Sequence, residues 1–167
     1  MSEPRRKLPV LNATPGAEPE EPRPPWHWVG FGTVAIFGGW LPLALVAQSL
    51  TARLSRLPPA ASPALAAANF YALPAAERAK EIAAIALPHG LALAAASFAG
   101  GFLVGRFGAP AGVREAALAG LMAGLVAVML AFASGGISWP PLIVAAVATA
   151  LSAWGGSRGK ASRAPGA

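Results

Sequence analysis

The 167 residues are 55% hydrophobic and only 12% charged, against about 25% charged in a soluble domain, so they carry more apolar side chain than a water-bathed core of this size can hide. The formal net charge of +6 raises nucleic acid as a partner, yet the Lys and Arg residues are spread over tails and connections. No basic stripe interleaves with aromatics, which argues against a nucleic-acid binder. The chain has no cysteine and no aspartate, which removes disulfides, thiolate metal sites and iron–sulfur clusters and leaves too few carboxylates for a cation cage.

Residues 1–25 recur in proline and sustain no apolar period, so they read as a disordered Pro-rich cytoplasmic tail. The leader is longer than the n-region of a signal peptide, and the apolar stretch behind it exceeds an h-region, so the expectation is a retained helix. That first stretch, 28–50, is long enough for the roughly 20 residues that cross hydrocarbon. Trp26, His27 and Trp28 at its start suit the headgroup level. Within it, Gly38-Gly39-Trp40-Leu41-Pro42 predicts a kink, because proline lacks an amide donor and crowds the preceding turn.

The connection from Thr51 carries Arg53, Arg56, Pro58, Pro59 and Pro63, and places Asn69, Phe70 and Tyr71 as an interfacial anchor. A helix then starts near Pro74 and feeds the second span, 82–104, with Glu77, Arg78, Lys80 and Glu81 in water and a bend expected at Pro88. Ser97, Gly101 and Gly105 repeat every four residues there, and Ala116, Gly120 and Gly124 do so in the third span, 116–132. This small-xxx-small spacing lets helix backbones touch and predicts a tight hairpin of the two spans. Its turn brings Arg106 near Glu115, an expected interface ion pair. The fourth span, 140–154, lies between Trp139 and Trp154 and is short for a bilayer; a basic C-terminal tail, 157–167, follows.

The fold class is therefore an all-α membrane protein with four transmembrane helices in a domain of residues 26–156. The bias of Lys and Arg places both termini and the Arg106–Arg114 turn in the cytoplasm. The wealth of alanine and arginine suggests a bacterial inner membrane.

The sequence carries no GxSxG elbow and no HExxH pair. An enzyme is not expected, nor a cofactor or metal. His89 is the one candidate polar site at membrane depth, since an intramembrane histidine can relay or switch a proton; the plainer explanation is a ring at headgroup depth bonding a carbonyl freed by Pro88. The expected function is that of an accessory, scaffold or assembly subunit acting through helix contacts, with the lipid bilayer and either a second copy or a membrane-protein partner as its company. The alternative is a small transporter or channel component using a break at Gly38–Pro42 and His89.

Overall fold

The computed structural model describes residues 25–58, 61–108, 111–133 and 140–163. Among these the chain is all-helical, with five helices: α1 (Trp26–Leu54), α2 (Pro63–Ala72), α3 (Ala75–Phe107), α4 (Val113–Ala133) and α5 (Pro140–Ala161). Two of them, α1 and α3, are long and apolar enough to cross a membrane. The expected tail over residues 1–24 and the connection at 134–139 lie outside the described residues.

The helix ends follow from local chemistry. At the end of α1 the Ser55 N–H bonds Thr51 O at 2.8 Å and the backbone turns extended, with Pro58 close behind to prevent continuation. α2 opens with Pro63 at its first position and with the Ser62 hydroxyl accepting the Leu65 N–H at 3.2 Å, a side-chain cap on an otherwise orphaned donor. It stops at Leu73, which is extended because Pro74 follows. At the start of α4 the Glu115 carboxylate accepts the Gly112 N–H at 2.7 Å, half of a capping box.

Four helices form the bundle, in the cyclic order α1, α3, α5, α4. Their contacts fix the directions. Gly32 of α1 meets Val104 of α3, Gly101 of α3 meets Ser152 of α5, and Gly124 of α4 meets Ala145 of α5. Thus α1 is antiparallel to α3 and α4 is antiparallel to α5, while α3 and α5 run parallel. α3 and α4, consecutive in sequence, touch only lightly across the short diagonal, and α5 packs extensively on both. The hairpin expected from the glycine spacing is thus replaced by a three-helix arrangement with α5 seated between its arms.

Two further expectations change. α1 is helical without interruption through Gly38–Pro42, so no break forms there; an added Cβ at Gly38 would meet nothing, while one at Gly39 would lie 3.8 Å from Ala96 Cβ of α3. α5 continues past Trp154 to Ala161, 22 residues or about 33 Å, so residues 157–161 of the expected tail are its last turn.

Trp28 lies 3.0 Å from the Cβ position of Gly108, and packs with Val104, Ala111 and Ala116 in one of two small core clusters. The start of α1, the α3–α4 turn and the end of α5 therefore share one end of the bundle.

Candidate functional site

The packing residues singled out from the sequence are all at contacts. A Cβ at Gly101 would strike Ser152 O, and one at Gly105 would strike Gly156 O. Gly155 and Gly159 of α5 answer with the same intimacy against Phe98 O and Phe102 O. Two glycines from each of two parallel helices thus interlock along one seam, where only glycine lets the backbones approach this closely. On the other side of α5 a Cβ at Gly120 would come within 2.6 Å of Ala148 O, and one at Gly124 within 2.6 Å of Ala145 Cα.

Hydroxyl groups fasten the same contacts. The buried Ser152 hydroxyl donates to Ala116 O at 2.6 Å, and Thr33 Oγ1 is shared between Val29 O at 2.9 Å and Ala119 O at 3.3 Å. Ser97 is fully buried with its hydroxyl unpartnered.

A polar corner lies at the opposite end of the bundle. Glu81 is only 4% exposed, and its carboxylate accepts the Ser55 hydroxyl and, at 3.2 Å, the Arg56 N–H. It pins the exit of α1 to the start of α3. Glu77 beside it pairs with Lys80 at 2.9 Å and Arg56 at 3.5 Å. The Lys80 hydrogen bond, then its charge, hold the Glu77 carboxyl below the ordinary glutamate range, with Arg56 adding a smaller pull against some desolvation.

His89 stands about two turns further along α3, half-buried, with Nδ1 3.0 Å from Ile85 O and 3.5 Å from Thr51 Oγ1. Pro88, which has no N–H to give, leaves Ala84 O without its helical partner, and Thr51 of α1 donates to that oxygen at 3.3 Å. The carbonyl freed by Pro88 is therefore satisfied from the neighbouring helix, and α3 remains helical through the proline. His89 is tied to its own helix and to Thr51, with no carboxylate beside its ring among the described residues.

The expected Arg106–Glu115 ion pair is not formed. Glu115 is held by Gly112 at the head of α4, while Arg106 donates to Ser162 O at 2.8 Å and Ser162 Oγ at 3.0 Å. The residue that secures the turn is Arg163, from the stretch expected to be a basic tail. Its guanidinium donates to Gly105 O at 2.7 Å, to Ala111 O at 2.8 Å and to Gly108 O. A cation on the last carbonyls of α3 also complements the helix dipole.

The cavities are small. One of about 120 Å³ opens beside Arg56, Glu77 and Lys80; another of about 70 Å³ is walled by apolar groups including Phe37, Trp40, Ala127 and Val144. Among the described residues no three histidine or acidic side chains gather as metal ligands. Comparison with protein families, curated proteins and solved structures gives no match for this chain.

Proposed function

We propose that α1, α3, α4 and α5 each cross a lipid bilayer, and that the protein acts through helix contacts as an accessory, scaffold or assembly subunit. The observation that carries this reading is an inverted distribution of side chains. The interior is built of Ala, Gly and Ser, and its largest fully buried side chains are Ile36, Val104, Ser97 and Ser152. The outside carries Val34, Leu45, Leu91 and Met129, each between 68% and 70% exposed, with many more like them. In water each such group forgoes up to about 1.5–3 kcal/mol of burial; in hydrocarbon it forgoes nothing, and close packing of small residues supplies the cohesion.

The end bearing Arg106, Arg114, Arg158, Lys160 and Arg163 is assigned to the cytoplasm on the positive-inside rule, and the alanine- and arginine-rich composition supports a bacterial inner membrane. A contact-based role is supported by Gly30 and Gly38, which lie two turns apart on α1 with open space before them. A second copy or another membrane helix is the partner that suits such a face. Transport through a broken first helix loses its motive, since α1 is continuous there.

Native mass spectrometry and crosslinking in mild detergent test the role. The expected result is a defined oligomer or hetero-complex that a bulky residue at Gly38 disperses. A strictly monomeric species that captures nothing on crosslinking in its own membrane contradicts it.

A further inference from the structure

The glycine seam between α3 and α5 has a consequence on its outer side. Because the two helices run parallel and in close register, side chains four apart on each form two adjacent stripes, Phe98–Phe102–Arg106 on α3 and Trp154–Arg158 on α5, the latter continued by Ser162 in the turn just past the helix. The stripes are joined at both ends. Phe98 meets Trp154 edge-on at 5.0 Å between ring centroids and stacks on Phe102 at 6.4 Å, while Arg106 donates both hydrogen bonds to Ser162. Arg158 lies over the Trp154 ring at 5.9 Å and Arg106 over Phe107 at 5.8 Å. The result is a row of aromatic rings with Arg158 laid over Trp154 and Arg106 bound to Ser162 toward the basic end of the bundle.

Among the described residues the charge of these two arginines is not answered by a carboxylate. At the other end Arg56 and Lys80 are both met by Glu77, whereas neither Arg106 nor Arg158 has a carboxylate within ion-pairing distance among the described residues. A guanidinium spread over a ring keeps its outer N–H groups directed to an acceptor, and its planar fork matches the oxygens of a phosphodiester.

We propose that this α3–α5 face is a binding site for an anionic phospholipid, whose phosphate is held between Arg106 and Arg158 while an acyl chain lies along Trp154, Phe98 and Phe102. The site rests on the membrane-spanning reading and adds the lipid that the bundle selects. Charge complementarity chooses the occupant: an apolar shaft with a cationic head is the complement of a lipid with an apolar tail and a phosphate head, and basic clusters between helix ends at the cytoplasmic surface recruit such headgroups.

The test places the full-length protein in lipid nanodiscs of phosphatidylcholine with a minor share of phosphatidylglycerol, and counts the lipids retained on gentle release by native mass spectrometry. Phosphatidylglycerol is expected to be retained selectively. Arg158→Gln, which disturbs only a ring contact, and Arg106→Gln are each expected to lower that selectivity roughly five-fold, with Arg158→Lys intermediate and Arg53→Gln, at the far end, without effect. Unchanged selectivity in Arg158→Gln, an equal loss in Arg53→Gln, or displacement of the lipid by millimolar inorganic phosphate would overturn the site. Co-elution with the disc reports insertion separately. Loss of selectivity in an inserted protein with unchanged helical circular dichroism removes the lipid site alone, whereas failure to insert removes the membrane reading with it.

Discussion

Glu115 and Arg106 illustrate how a short-range donor outcompetes a plausible ion pair. A carboxylate three residues into a helix has an orphan N–H of its own to accept, already desolvated and in reach. The longer arginine finds the carbonyl and hydroxyl of Ser162, just past the end of α5, instead. A double-mutant cycle on Arg106→Glu and Glu115→Arg is therefore expected to give a coupling near zero, with Glu115→Gln alone weakening the start of α4 by about 1 kcal/mol. A coupling clearly different from zero in detergent unfolding would restore the pair.

Glu77 makes a pH-dependent statement. Its carboxyl is depressed in the folded chain, chiefly by Lys80, so its contribution to stability is present above the ordinary glutamate value and is lost as pH falls through the depressed one. Lys80→Ala should move the Glu77 titration, followed by NMR, back upward. An unmoved titration would mean that the contact at 2.9 Å does not persist in solution.

At the scale of the helices the glycine seam dominates. Gly101→Leu and Gly120→Leu each drive a branched side chain into the backbone of α5 and should lower detergent stability far more than Leu125→Ala, which removes an outward side chain that is 45% exposed. Equal thermal midpoints for the three variants would place both glycines on the outside. The packing faces of α3 and α4 were legible in the sequence because small residues recur there every four positions. Their partner was not. A four-residue period names a face but carries no information on what fills it, and Gly155 and Gly159 sit next to Ser157, Arg158 and Lys160, so composition placed Gly155 just past the end of the fourth span and Gly159 in the polar tail rather than in a helix. Two other features were hidden for a similar reason. The bond from Thr51 to Ala84 O and the burial of Glu81 depend on α1 folding back along α3, a contact between residues about 30 apart that local pattern does not encode.

Over the whole molecule, the apolar segments and their approximate bounds were set by composition, since a run of some 20 apolar residues has few other solutions. The up-down order of α1, α3, α4 and α5 follows from their reversals, and it gathers the start of α1, the Gly108 turn and the end of α5 at one end. All four helices are proposed to cross the membrane with that end in the cytoplasm. Because the chain contains no cysteine, single cysteines introduced at Ser2, Ala61, Gly112, Ser138 and Ala167 can each be probed in intact cells with an impermeant thiol reagent; Gly112 serves for the α3–α4 turn because an added Cβ there meets nothing closer than 3.9 Å. Labelling from outside only at positions 61 and 138, with 2, 112 and 167 reached only after permeabilisation, is the predicted result. Equal accessibility of Gly112 and Ser138 from one side would contradict the four-span bundle.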